Sequence, residues 1–382
     1  MKIVFNTKSL LKYNSPDEYF LQEVLKRIVL KYPEHEFIVI TGHADANRYF
    51  FGKNVTTAIT HQPVRHPLLR KLWFDFKLPV ILKKYKADVF VGCDGFCSLA
   101  THIPQCLLLH DLTIFYNTSF INRSFRFFYK RYLHKFLHKA KTIATVPEFS
   151  KKDLCREFKI REDKIDVVYT AAKEIFLRVN ESEREETKRK YSNEKNYFIN
   201  TEVIHSHTSL KNLLKAFSVF KKRQQSNWKL LLTGPIDRKS KVFLESLKTY
   251  KYRDDVVLTG LVKDEDIVKL TGSSYAMICA GQWDRGGVAV LEALACHIPV
   301  ITSPDPFIEE IAGDGVLYAS PDDPTDMAEK MMLLYKDETL RSRLVEKGKA
   351  VVGNYSWDKT ADLVWQSIQK AYSLPDHDPK MI

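Results

Sequence analysis

A chain of 382 residues, 45% hydrophobic and 28% charged with a formal net charge of +12, is too balanced for a disordered or fibrous protein. Its length supports two domains of ordinary size, each with its own core. The charge favours anionic partners, whether nucleotide diphosphates, lipid headgroups or nucleic acid, and the lack of an RRM, KH or zinc-finger pattern argues against the last.

Met1-Lys2-Ile3-Val4-Phe5 reads directly as a strand rather than as a leader, and no window reaches about eighteen uncharged apolar residues. Neither export nor a membrane span is therefore expected. The six cysteines lack paired CxxC spacing, which suits a reducing cytoplasm.

Taken in order, residues 2–6 form an apolar strand, Glu18 to Leu30 carries apolar residues at helical spacing, and Phe37 to Ile40 is the next strand. The loop between the first strand and its helix, Lys8 to Asp17, is either a plain connector or a wall of a binding site. Within Pro63 to Lys86, the run HPLLRKLWFDFKLPVILKKYK mixes large apolar residues with six Lys or Arg and reads as basic and amphipathic. Strands at 87–91 and 105–109 follow. Ligands in open α/β sheets gather beyond the carboxyl ends of strands, where Asp94, His110 and Asp111 lie.

Residues 120–141 hold seven Lys or Arg, seven Phe or Tyr and no acid. As a helix, this stretch puts Phe125, Phe128, Tyr129, Tyr132, Phe136 and Leu137 on one face. Two readings stay open: an interfacial helix on anionic lipid, or a helix packed on the sheet with a solvated basic edge. His134 and His138 are four apart without a further ligand, so no metal is assigned to them. Strands at 143–146 and 165–169 close the first half, with a helix beginning near Pro147 between them.

Glu181 to Asn196 is nearly all polar and reads as a linker or an exposed helix. A strand at Tyr197 to Asn200, a helix from Lys211 to Lys222, and strands at 228–233 and 256–259 then imply a second parallel sheet. Asp264-Glu265-Asp266 begins a helix, where acids complement the macrodipole.

The stretch GQWDRGGVAVLEALACHIPVIT, Gly281 to Thr302, reads as a loop, a buried helix and a strand. Gly281, Gly286 and Gly287 permit positive φ, and the helix start after them offers unpaired N–H donors and a partial positive charge to a diphosphate. Asp284 lies in the loop and Glu292 in the second helical turn. Pro304 to Ala312 supplies a loop and short helix, and Trp357 to Tyr372 is amphipathic.

Asp284, the Gly-rich turn, Val-Leu-Glu ending at Glu292, then Ala-Leu-Ala-Cys and Pro-Val-Ile-Thr-Ser resemble the nucleotide-sugar signature of retaining GT-B glycosyltransferases, family 4. The resemblance implies an α/β fold of two facing Rossmann-like domains with a cleft between them. An acceptor-binding domain is expected at 1–178 and a nucleotide-sugar-binding domain at 179–356, with a terminal helix within 357–382 crossing back to the first. It implies that Glu292 binds the ribose, Asp284 and His110 position the sugar, and Lys211 with the helix start at Gly287-Val288 carries the diphosphate. The family's Gly and Arg before that Lys are absent. Glu202 takes the Gly position, and Arg285, beside Gly286, is placed as a substitute cation.

Pro147 replaces the family's Ser before Glu-Phe-Ser, and Lys8 to Asp17 takes the place of its Gly-rich acceptor loop. The implied activity is hexosyl transfer from a UDP- or GDP-sugar to a glycan or lipid-linked acceptor in surface polysaccharide or glycolipid synthesis. It needs no metal or cofactor and takes place in the cytoplasm or at the inner membrane face. Alternatives are a nucleotide-sugar epimerase of the same fold and a noncatalytic partner subunit.

Overall fold

The computed structural model describes residues 1–7, 16–42, 48–60, 62–63, 66–93, 95–109, 123–204, 208–236, 240–281 and 287–374. The chain divides into two compact units, Met1–Thr170 with Trp357–Ile382, and Ala171–Ser356.

Among the described residues the first unit carries seven parallel strands: β1 (Lys2–Asn6), β2 (Glu36–Thr41), β3 (Val55–Ile59), β4 (Val89–Gly92), β5 (Gln105–Leu109), β6 (Thr142–Thr145) and β7 (Ile165–Val167). Their order is β3-β2-β1-β4-β5-β6-β7. Most are continuous apolar runs because helices cover both faces. On one face Val4, Ile38, Phe90, Leu107 and Ile143 meet Phe74, Phe96, Phe128 and Phe136. On the other, Phe37 meets Trp365 of the helix Trp357–Ser373, whose Trp357 also packs edge-on against Tyr19 and Phe20.

The helix Arg123–Lys139 resolves the choice left open for residues 120–141 as far as its aromatics go. Phe128 and Phe136 are buried, with Tyr129 and Tyr132 packed against the same core, so these aromatics face the sheet rather than a lipid surface. Phe125 lies outside the residues whose side chains are described.

The second unit has β8 (Tyr197–Asn200), β9 (Lys229–Thr233), β10 (Val256–Gly260), β11 (Ala276–Cys279), β12 (Val300–Thr302) and β13 (Leu317–Tyr318), parallel in the order β10-β9-β8-β11-β12-β13. The polar stretch after 180 is a helix, Glu181–Ser192. The Asn180 side chain accepts from the Glu183 N–H at its start, and Asn193 ends it in the left-handed conformation, so capping supplies the end signals that an apolar stripe does not.

The boundary expected after residue 178 falls instead after Thr170. Phe176 packs with Cys296 and Ile298, and Val179 lies against Gly272, so this segment shares the core of the second unit.

Candidate functional site at the strand ends of the second unit

β8 neighbours β9 on one side and β11 on the other. Connections therefore leave the carboxyl ends of β8 and β11 in opposite directions, which opens a crevice between them of the kind where open α/β sheets bind ligands. β8 leads to the helix Thr208–Gln224, and β11 leads through Ala280-Gly281 to the helix Val288–Ala295.

A polar clasp joins the two exits. Asn200, buried at the end of β8, donates from Nδ2 to the Ile278 carbonyl at 2.8 Å and to Glu202 Oε2 at 3.0 Å. The Gly281 N–H in turn donates to both Glu202 carboxylate oxygens, at 3.0 and 3.1 Å. Ser303 Oγ, just past β12, donates to the Gly281 carbonyl at 2.9 Å. A Cβ at Gly281 would sit 2.7 Å from Glu202 Oε1, so the close approach of the carboxylate requires glycine there. Burial pushes the Glu202 carboxyl above the usual glutamate range, while Asn200 and the Gly281 and Ala280 N–H groups pull it the other way.

The next helix starts at Gly287, whose φ of +62° lies in the left-handed region. A Cβ there would approach Ile311 at 3.2 Å and Ile308 at 3.4 Å, both on the helix Pro306–Ala312, so backbone conformation and packing both favour glycine. Gly287 supplies no side-chain cap, which leaves the first-turn N–H groups after it without the partner that Ser or Asp would have brought. Val290, Leu291, Ala293 and Leu294 face the core and leave Glu292 half-buried beside it. Burial, with Glu292 adding to it, holds the Cys296 thiol up at about 12, so that thiol stays protonated at neutral pH.

Of the residues singled out in the sequence, Gly287, Val288 and Glu292 lie on this second helix, and Lys211 is the half-buried fourth residue of the helix after β8. The crevice thus brings the Lys211 helix and the Gly287 helix onto adjacent strands. His110, Asp284, Arg285 and Gly286 lie outside the described residues, as do Asp94, Asp111 and most of the Lys8 to Asp17 loop. Asp264-Glu265-Asp266 forms the first turn of the helix Asp264–Gly272, with Asp264 paired to Lys173 at 2.9 Å. Among the described residues no group of three or more His, Cys, Asp or Glu could hold a metal ion. Sequence reasoning missed the clasp role of Asn200, Glu202 and Ser303. Its one visible signal is a polar residue closing an apolar strand, as in Tyr-Phe-Ile-Asn and Val-Ile-Thr-Ser.

Residues 181–351 match the model of the family described as Glycosyl transferases group 1, and residues 30–172 match that of Glycosyltransferase Family 4. The chain belongs to the group 1 glycosyltransferases. This glycosyltransferase is 23% identical to O-antigen chain mannosyltransferase B of Escherichia coli over 372 residues, 94% of this chain and 97% of the relative. A glycosyltransferase from Rickettsia africae shares its fold with a TM-score of 0.72 at 19% identity, covering 97% of each chain. The Anabaena protein HepE, solved in complex with UDP, does so with a TM-score of 0.74 at 13% identity, covering 98% of this chain and 100% of its own. These likenesses establish the fold of the glycosyltransferase as GT-B.

Proposed function

We propose that this glycosyltransferase moves a hexosyl unit from a nucleotide diphosphate sugar to a glycan or lipid-linked acceptor in surface polysaccharide or glycolipid synthesis. The observation that carries the reading is the second-unit crevice, where a helix start at Gly287-Val288, with no side-chain cap from its N-cap glycine, and the Lys211 helix follow adjacent strands. Such a site suits a diphosphate, because helix-start N–H groups and a lysine both meet negative charge. Glu292 is the acceptor for the ribose hydroxyls, while His110 and Asp284 position the sugar.

In the reaction the acceptor hydroxyl oxygen bonds to the anomeric carbon as the bond from that carbon to the diphosphate oxygen breaks. The electron pair leaves with the nucleotide diphosphate, and the acceptor proton passes to the departing phosphate. Attack on the face from which the diphosphate leaves retains the anomeric configuration. Charge grows on the leaving group, so Lys211, Arg285 and the helix start act where the transition state differs most from the ground state. No metal is required in this scheme.

Because a relative matched over nearly its whole length is named a mannosyltransferase, GDP-mannose is the first donor to test, and the complex of HepE with UDP-glucose makes that sugar nucleotide the second. Thermal stabilisation of the purified chain by one of them, scaling with concentration, is the expected result. Stabilisation by none of a panel of UDP- and GDP-sugars would overturn the reading. With a donor in hand, turnover should survive excess EDTA, and the product linkage read by NMR coupling should keep the donor's anomeric configuration.

The acceptor reading places the enzyme in the cytoplasm at the inner face of the membrane. Support comes from the basic outer helices of the first unit.

A further inference from the structure

The helical run from Pro67 to Tyr85 presents two contrasting faces. Trp73, Phe74, Leu78, Ile81 and Leu82 are buried in the core of the first unit. The opposite side leaves Leu68, Leu69, Leu72, Phe76 and Val80 exposed, Phe76 at 71% and Val80 at 62%. Residues 68, 72, 76 and 80 repeat every four. Four residues overshoot an α-helical turn of 3.6, and the wider π-helical turn at Trp73–Lys77 offsets that drift and keeps the row straight. Scattered exposed apolar residues need no explanation, whereas a continuous row of five does.

Charge around the row indicates what covers it. Lys77, Lys83, Lys84 and Lys86 are exposed on the same run. The run's one acid, Asp75, is turned inward, where it pairs with Lys71 at 2.5 Å and accepts from the Leu99 N–H at 2.8 Å. The neighbouring helix Arg123–Lys139 adds to the basic rim. Lys71, Arg131 and Lys135 all lie within 6 Å of the Tyr132 ring, at 5.1, 5.7 and 5.8 Å. Phe127 of that helix is 73% exposed, between exposed Arg126 and Lys130. A second copy of this chain would set lysine against lysine. A surface both apolar and negative does not.

We propose that the row Leu68, Leu69, Leu72, Phe76 and Val80, rimmed by Lys77, Lys83 and Lys84, docks on an anionic lipid bilayer. The apolar side chains enter the boundary between headgroups and acyl chains while the lysines stay among the headgroups. The proposal deepens the reading of a lipid-linked acceptor and rests on it for its purpose, although docking itself needs neither donor nor acceptor.

The test is co-sedimentation of the full chain with vesicles of phosphatidylcholine alone and of phosphatidylcholine with phosphatidylglycerol, each at two salt concentrations. The wild type should pellet with the anionic vesicles, less with the neutral ones, and less at high salt. The triple variant Lys77→Gln, Lys83→Gln, Lys84→Gln should lower partitioning about fivefold per lysine, roughly a hundredfold in all. Phe76→Ser with Val80→Ser should also release the protein, while both variants keep the wild-type melting temperature.

Equal pelleting with neutral and anionic vesicles, no pelleting of the wild type, or unchanged pelleting of both variants would overturn the proposal. So would a dimer in sedimentation velocity that Phe76→Ser dissolves, which would assign the row to a second copy. Donor stabilisation measured without vesicles separates the two ideas. Docking without donor binding would sink the proposed activity alone, and donor binding without docking would sink this proposal alone.

Discussion

In the second unit the polar groups gather where strands end: Asn200, Glu202 and Ser303 clasp the exits of β8 and β11, and Lys211 and the Gly287 helix start follow them. In the first unit, built on the same parallel plan, cations and apolar residues gather on the outer helices at 67–85 and 123–139. The shared plan gives each sheet one reversal of strand order, between β1 and β4 in the first and between β8 and β11 in the second. On the proposed reading, what each unit meets follows from where charge sits outside the sheet. Chemistry on the donor and attachment to a surface should therefore come apart under mutation, one failing while the other persists.

The largest expected effect is on the first unit alone. Phe96 is fully buried, stacked on Phe74 at 5.4 Å and on Phe128 at 5.6 Å, so Phe96→Ala should cost about 3–5 kcal/mol of stability. Denaturant unfolding should show an early transition for this unit with donor stabilisation of the second retained. A single transition shifted as a whole would mean that the units do not separate energetically.

Next in size is Lys211→Ala, which should lower kcat by roughly a hundredfold or more, as removal of one donor to a developing oxyanion does. Vesicle binding should be unchanged. A rise in KM with kcat intact would make Lys211 a ground-state binding residue instead.

Glu292→Gln should weaken donor binding by about 1–3 kcal/mol, because an ionised acceptor to ribose hydroxyls is stronger than an amide. Isothermal titration with the nucleoside diphosphate checks it. Equal affinity in a less stable protein would mark Glu292 as a packing residue.

The smallest effect concerns Glu202 and acid stability. Its folded carboxyl is raised by burial, so the folded state holds this proton more tightly than the unfolded chain. Its stabilising contribution is fully present below the unfolded value near about 4.3 and is lost as pH rises through the raised folded value. Glu202→Gln should flatten that part of the melting-temperature profile, its amide oxygen still accepting from Gly281. An unchanged profile would assign the slope to another group.

Much of this contrast was legible in the chain, for reasons that differ by element. β1 and β8 are dense apolar runs, and the Gly287-Val288 turn with Glu292 is a local pattern within ten residues, so spacing alone locates them. β3, VTTAI, has two adjacent threonines and only two buried residues, and so gives no clear strand signal. The helix 123–139 shows its aromatic face in sequence, but whether a sheet or a lipid covers that face is a question of tertiary partners. The clasp was hidden for the same reason: Glu202 and Gly281 lie 79 residues apart, and only β8 beside β11 makes them neighbours.

The helix Trp357–Ser373 has a consequence for synthesis. It seals a face of the first sheet, with Trp365 stacked on Tyr32 at 4.2 Å and the Ser367 carbonyl accepting from Thr142 Oγ1 at 3.0 Å. Yet it leaves the ribosome only after all of Ala171–Ser356. The second unit can complete its core while the half made earlier still shows Phe37, which Trp365 later covers, and Cys106, whose Sγ later lies 3.6 Å from Ser367 Oγ, to solvent or to a chaperone. Order of emergence and order of completion are thus reversed, and translation stalled short of residue 357 would yield a folded second half tethered to an unfinished first one.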